Sequence, residues 1–347
     1  MSDFNSSDWD AFFRDHGLSE QLTTQYLDYA QNLLSQGLPP VFEIEHLSLL
    51  LNCPLSELAK MIFSPHSFYR TFEIPKRMGG KRRIEAPYPS LASCQRWILA
   101  NILYKLPIHP NAHGFSPNRS ILSNASPHLA KKTLLKIDLK DFFPSIPINW
   151  IIKLFSEIGY SYNVSFFLAS LCSLDGKLPQ GAATSPAISN LLSFTLDKRL
   201  SALSEKFHST YTRYADDLTF SGPYIPHDFI DIVERIVSDV GFSINRKKTR
   251  LTIGGGKKIV TGISVSKEAP TIPRGLKRTL RSEFHCIRKF GLISHISSRR
   301  IRNPKYLSSL VGKFAFWAFV EPKNSFPSMA KEFLVNLVRE IPEENSD

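Results

Sequence analysis

The sequence predicts an α+β fold, with a mainly antiparallel sheet in its middle section and helical segments at either end. Three observations predict it. Between residues 61 and 265, β-rich runs interleave with amphipathic stretches and tight turn signals, the pattern of a mixed domain whose sheet is largely antiparallel. The segments before and after lack strand alternation. With 42% hydrophobic residues in 347, the chain has ample apolar surface for a packed core.

Residues 1–60 form a helical N-terminal region. Ser19 caps a helix in which Leu22, Tyr26, Tyr29 and Leu33 share a face, and Gly37-Leu38-Pro39-Pro40 stops it. Two short helices follow at 43–51 and 54–63, split at Asn52-Cys53-Pro54. Nine acids against two bases give this region a charge of −7, leaving +19 on the remainder of a chain whose total is +12. A polyanion is therefore drawn to the body of the protein and repelled by its first 60 residues, so the helix–turn–helix look of 43–63 reads as a packing module rather than a DNA reader.

In the middle section, strands are expected at 71–75, 82–86, 133–138, 210–215, 218–222 and 259–265, and helices at 91–106, 149–158, 164–173, 185–203 and 227–240. The first two strands form a hairpin turning at Gly79-Gly80 with bases on both arms. Residues 266–347 read as helices at 274–291, 304–320 and 327–340. Between Arg274 and Lys305 ten bases face a single acid, Glu283, an excess that favours contact with a phosphate backbone. Trp317, Phe314 and Phe316 nearby read as core rather than as a stacking platform.

Cys53, Cys94, Cys172 and Cys286 are isolated, with neither zinc-site spacing nor a disulfide framework. The acidic N-terminus does not resemble a signal peptide, and no run approaches the roughly 18 apolar residues of a membrane span. The expectation is a cytoplasmic protein without membrane contact.

Two segments carry the chemistry. Tyr211 to Ser221 places Asp216 and Asp217 at the tip of a hairpin, and Leu134-Leu135-Lys136-Ile137-Asp138 ends an apolar strand in a carboxylate, with Asp141 three residues on. One acidic turn has a plain backbone explanation. Strand-end aspartates brought together in one sheet repel unless cations lie between them. Hard oxygen donors suit Mg²⁺, and two such ions about 3.5–4 Å apart activate a hydroxyl and stabilise a leaving pyrophosphate.

Tyr214-Ala215-Asp216-Asp217 resembles the YxDD box of reverse transcriptases, and Ile137 to Phe143 resembles their first catalytic box. Leu178-Pro179-Gln180-Gly181 with Ser185-Pro186, then Gly241 to Lys248, then Val260-Thr261-Gly262 follow in the family's order. The resemblance implies a right-hand polymerase, with fingers and palm at 61–265 and a basic helical thumb at 266–347. It further implies that Asp138 and Asp216 bind both Mg²⁺ ions with Asp217 contributing more weakly. Phe143 acts as a steric gate against ribose, with a plain core aromatic as the alternative. Gln180 and Gly181 line the pocket of the incoming dNTP. Lys76 and Arg83 meet its triphosphate, with Lys81 and Arg82 at even odds, and Lys248 acts at the pyrophosphate, Lys247 competing. Arg274, Lys277, Arg278 and Arg281 contact RNA.

Asn124-Ala125-Ser126-Pro127-His128 resembles the NAxxH element of retron reverse transcriptases, and Val260-Thr261-Gly262 their VTG element. That likeness implies a cognate structured non-coding RNA copied in part into DNA from an internal 2′-hydroxyl, a branched RNA–DNA product, and antiphage defence with an effector protein encoded nearby. It sets Asn124 and His128 against RNA, the alternative for His128 being a hydrogen-bonded place within the fold. The rivals are a group II intron-like or untemplated defence polymerase, a non-catalytic RNA-binding scaffold holding a toxin effector, and a basic DNA-binding regulator. The first lacks support from the NAxxH and VTG elements, the second is disfavoured by the intact aspartates, and the third leaves the ordered boxes unexplained.

Overall fold

The computed structural model describes residues 6–75 and 79–340. Four helices open the chain, α1 (Ser6–Asp15), α2 (Glu20–Ser35), α3 (Ile44–Leu50) and α4 (Leu55–Phe63). Ser19 caps α2 as expected, its hydroxyl accepting from the Leu22 N–H. Helix α1 has no counterpart among the expected elements, and it is held by aromatic contacts, Trp9 lying 5.5 Å from Phe13 and 5.8 Å from Phe42 between ring centroids. Leu47, Leu58, Met61 and Ile62 are buried in the same core as the middle section. The compositional boundary at residue 60 is thus crossed by continuous packing, and the 43–63 helices spend their apolar face inward.

Strands β1 (Tyr69–Pro75) and β2 (Lys81–Pro87) make the expected antiparallel hairpin, with Glu73 opposite Arg83. Helices α5 (Pro89–Asn101) and α6 (Ile121–Ala125) precede β3 (Thr133–Asp138), and α7 (Ile148–Ile158) and α8 (Tyr162–Leu171) follow it. The helix expected over 185–203 is two, α9 (Ser185–Leu192) and α10 (Phe194–Lys206), because Ser193 departs from helical geometry at ψ 3°. Then come β4 (Thr210–Tyr214), β5 (Asp217–Gly222), α11 (Phe229–Asp239) and β6 (Arg250–Ile253).

The main sheet has the order β4-β5-β3-β6 and is antiparallel throughout. Leu134, Leu135 and Ile137 of β3 are buried, as suits a strand with neighbours on both sides. Strand β6 is not among the expected strands, since four residues alternate too briefly to register.

The strand expected over 259–265 is instead a minimal hairpin, β7 (Ile259–Val260) and β8 (Ile263–Ser264). Thr261 and Gly262 form its turn with φ of 44° and 84°, two successive positive values of the kind a tight hairpin requires. Helices α12 (Arg274–Phe290), α13 (Leu292–Ser298), α14 (Tyr306–Val320) and α15 (Ser325–Glu340) complete the chain. They close a second core containing Leu280, Phe284, Phe314 and Trp317, which also takes in Val260 and Ile263. The β7–β8 hairpin therefore packs with the last helices, across the boundary expected at 265. Among the described residues no helix is long and apolar enough to cross a membrane.

Candidate active site

The main sheet delivers three carboxylates to one end. Asp138, the last residue of β3, stands opposite Asp217, the first of β5. Tyr214 pairs with Asp217, which leaves Ala215 and Asp216 as a two-residue turn. Ala215 takes φ 56°, a conformation that costs a non-glycine residue about 1–3 kcal/mol and must be held by its surroundings. Two bonds hold it. Arg213 Nη1 donates to the Ala215 carbonyl at 3.2 Å, and the Leu139 N–H donates to the Asp216 carbonyl at 2.8 Å.

Arg213 is fully buried and is fixed by a fork of bonds to Asp197 on α10, 2.8 Å from Nε to Oδ1 and 2.6 Å from Nη2 to Oδ2. Its Nη1 also donates to Asn190 Oδ1 on α9 at 3.0 Å, and Tyr211 donates to Asp197 at 2.7 Å. Asn190 and Asp197, on successive helices, both reach this guanidinium. The bidentate pairing satisfies both charges where neither meets water.

Burial, with Asp217 and Asp138 alongside, pushes the Asp216 carboxyl up to about 6. Burial raises Asp217 as well, against the pull of Lys136, whose Nζ is 4.0 Å from Asp217 Oδ2. Lys248 Nζ donates to both oxygens of Asp138, at 2.8 and 2.9 Å, and that bonding raises the lysine's own pKa. Its position follows from the Asn245 N–H, which donates to the Asp138 carbonyl at 2.7 Å and docks the 241–248 segment beside β3. Lys248, not Lys247, is thus the base that reaches the cluster.

As placed, the described residues contain no ready-made group of three His, Cys, Asp or Glu able to hold a metal, and an ammonium sits where Asp138 would meet a cation. The donor chemistry nevertheless fits hard divalent cations. Three carboxylates lie at one sheet end with two lysines beside them, an all-oxygen donor set of the kind such cations take.

Around this end, Phe143 is half-buried, with ring centroids 5.5 Å from Phe142 and 6.2 Å from Phe115. Gly181 adopts φ 141°, and a Cβ there would stand 2.7 Å from the Glu85 carbonyl oxygen. The close approach that glycine permits is to β2, whose Glu85 N–H donates to the Gln180 carbonyl at 2.9 Å. The β1–β2 hairpin is thereby tied to Gln180. Arg83 is 57% exposed and pairs with the buried Glu85 at 3.1 Å. Lys81 pairs with Glu73 at 2.7 Å, and Lys76 lies outside the described residues.

Two expected RNA contacts are corrected, those of His128 and Asn124. His128 is fully buried, with Nδ1 2.6 Å from Ser221 Oγ and Nε2 2.8 Å from Thr212 Oγ1. It fastens the α6 region to β4 and β5 and has no surface from which to touch RNA. Asn124 is equally buried. The segment packs inward: Thr261 Oγ1 donates to the Ile121 carbonyl on α6 at 3.0 Å, and Ala125 shares the second core with Val260. Lys277 is held by Glu321 at 2.7 Å. Arg274, Arg278 and Arg281 remain exposed on α12, with Arg281 also lying over Trp317, 5.6 Å from its centroid.

Sequence reasoning missed Arg213, Asp197, Asn190 and Glu85. A lone arginine among Tyr211, Thr212 and Tyr214, two residues before the turn, was the only signal, since its partners lie on other elements.

Residues 74–301 match the family described as reverse transcriptase (RNA-dependent DNA polymerase). The retron Mx65 reverse transcriptase of Myxococcus xanthus is 38% identical over 277 residues, which cover 70% of this chain and 63% of that protein. The retron Mx162 enzyme of the same organism is 35% identical over 327 residues, covering 83% and 66%. The retron Ec86 reverse transcriptase of Escherichia coli is 34% identical over 259 residues, covering 74% and 81%. The match thus spans less than two thirds of the two Myxococcus relatives. On this match and the carboxylate-bearing α+β sheet, the chain belongs to the reverse transcriptase family, among the retron reverse transcriptases.

Proposed function

We propose that the protein is an RNA-directed DNA polymerase whose reaction centre is the end of the sheet formed by Asp138, Asp216 and Asp217. The observation that carries this reading is the meeting of three carboxylates from β3 and the β4–β5 turn beside Lys248. Two Mg²⁺ ions held by these aspartates would supply Lewis-acid activation of the attacking hydroxyl and neutralise the pyrophosphate. Lys248 stands ready to leave Asp138 and give charge or a proton to the departing phosphates. Arg83, on a hairpin tied to Gln180, meets the triphosphate; Phe143 excludes a 2′-hydroxyl; and Arg274, Arg278 and Arg281 grip RNA.

The test is Asp138→Asn and Asp216→Asn, each assayed for dNTP incorporation in Mg²⁺ and for RNA binding. Synthesis should disappear in both while RNA affinity stays near that of the parent. Comparable synthesis in either variant would falsify the assignment.

The resemblance to retron enzymes carries the finer reading that the template is part of a cognate structured non-coding RNA. The likeness in the NAxxH and VTG elements extends it to priming from an RNA 2′-hydroxyl, to a branched RNA–DNA product, and to antiphage defence with an effector protein. A 2′-hydroxyl serves in the same site if a gripped RNA presents it where a primer end would lie. Nucleic acid copurified with the protein expressed from its native locus should shift on a gel after debranching treatment. DNA lacking an RNA branch would overturn the priming scheme and leave the polymerase assignment standing.

A further inference from the structure

Phe115 has no place in the reaction as described, yet the fold holds it beside the reaction centre at some cost. It takes φ 59°, the left-handed region that a bulky side chain rarely adopts. The ring is 44% exposed, so burial does not explain its position.

The conformation is fixed from several sides. The His113 N–H donates to the Arg213 carbonyl and the Arg213 N–H to the Asn111 carbonyl, both at 2.8 Å. The Asn190 side chain donates to the Gly114 carbonyl at 2.8 Å, and the Ser116 hydroxyl to the Ala112 carbonyl at 2.8 Å. Gly114 approaches the catalytic turn so closely that a Cβ would stand 2.5 Å from the Ala215 nitrogen. The loop is therefore a fixed extension of the turn that carries Asp216.

Held there, the Phe115 ring lies 6.2 Å from Phe143 and 6.3 Å from Tyr214, distances at which aromatic rings pack. Phe143 has Phe142 as a further neighbour at 5.5 Å. Phe115 also lines a cavity of about 320 Å³ whose wall includes Tyr104, Pro107, His109 and Arg119 but neither Phe143 nor Tyr214. Phe115 thus borders both that space and the Phe143 ring.

We propose that Phe115 is a positioning residue for sugar selection, bracing Phe143 and closing off the cavity into which the gate would otherwise swing. This rests on the reading of Phe143 as the gate. A ring that excludes a single hydroxyl works only if it cannot move aside, and one missing neighbour provides the room. Strain at Phe115 is then the cost of presenting a rigid brace from a loop bonded to the catalytic turn.

The experiment compares dGTP and GTP incorporation by the full chain on one RNA template annealed to a DNA primer, reading kcat and KM separately. Phe143→Ala should raise the GTP to dGTP ratio strongly. Phe115→Ala should raise it by roughly tenfold, through a lower KM for GTP, while Phe115→Tyr restores discrimination. Phe115→Leu, which keeps most of the volume, should give an intermediate ratio and serves if the alanine variant folds poorly. Equal losses on both nucleotides at Phe115 would mark a merely structural residue and overturn the proposal. A ratio unchanged at Phe115 but raised at Phe143 overturns the brace and keeps the gate. A ratio unchanged at Phe143 removes the gate, and the brace with it.

Discussion

Arg213 and Asp197 bear the turn that carries Asp216, and their energetics are asymmetric. Both are wholly inaccessible, so removing one strands the other's charge in the core. Asp197→Ala should destabilise the fold by about 3–5 kcal/mol, measured by urea unfolding, and should also slow synthesis, because Arg213 would no longer be held against the Ala215 carbonyl. Stability close to that of the parent would show that the guanidinium finds water or another partner. Lys248 differs in kind, being 62% exposed, so its pair with Asp138 contributes little to stability. Lys248→Met should leave the unfolding midpoint nearly unmoved and reduce kcat; a lowered midpoint with normal kcat would make it a structural residue.

Two elements bear on the proposed reaction at the carboxylate end of the sheet, and each offers its own test. The β1–β2 hairpin meets Gln180 and Gly181 through backbone contact, and Gly181→Ala would force a Cβ against the Glu85 carbonyl oxygen. The hairpin should move away and take Arg83 with it. The KM for dNTP should then rise several-fold while RNA affinity holds, and unchanged KM would separate the hairpin from nucleotide binding. On α12, neutralising Arg274, Arg278 and Arg281 together should flatten the salt dependence of RNA binding. For every RNA phosphate left without its arginine, the log–log slope should shrink in magnitude by about 0.7–0.9. An unaltered slope would move the RNA site to another surface. Lys277 belongs outside that set, since its ammonium is already neutralised by Glu321.

The molecule as a whole carries buried histidines that weaken it in acid, opposite in sign to the raised Asp216. Burial pushes His128 down to about 3 and His113 down to about 4, whereas in an unfolded chain both titrate near 6.5. The unfolded state therefore binds protons that the fold refuses. This contribution to stability is fully present above about pH 6.5 and is lost as pH falls toward the folded values. The slope reaches about 1.4 kcal/mol per pH unit for each histidine. Unfolding free energies measured between pH 7 and pH 5 should fall, and should fall less steeply in His113→Gln. Parallel curves for the two proteins would mean that His113 is protonated within the fold.

The carboxylate cluster and the order of the main elements are legible in the chain alone, because both depend on local signals. These are a hairpin with acids at its tip, an apolar strand ending in aspartate, a glycine pair between basic arms, and a charge that changes sign near residue 60. Only in the folded molecule do polar side chains find partners that are distant in the chain. Nothing near Arg213 announces Asp197, and nothing near His128 announces Ser221. A histidine in a polar segment fits the surface and the interior equally well until the strands that bury it are in place. Folding also divides the basic residues of α12, because Glu321, just past the end of α14, takes one lysine out of reach. Short pieces such as β6 and the Thr261-Gly262 turn hold their shape through contacts that no window of local sequence contains. Charge pattern and periodicity are properties of neighbours in the chain, whereas hydrogen-bond satisfaction and close packing are properties of neighbours in space.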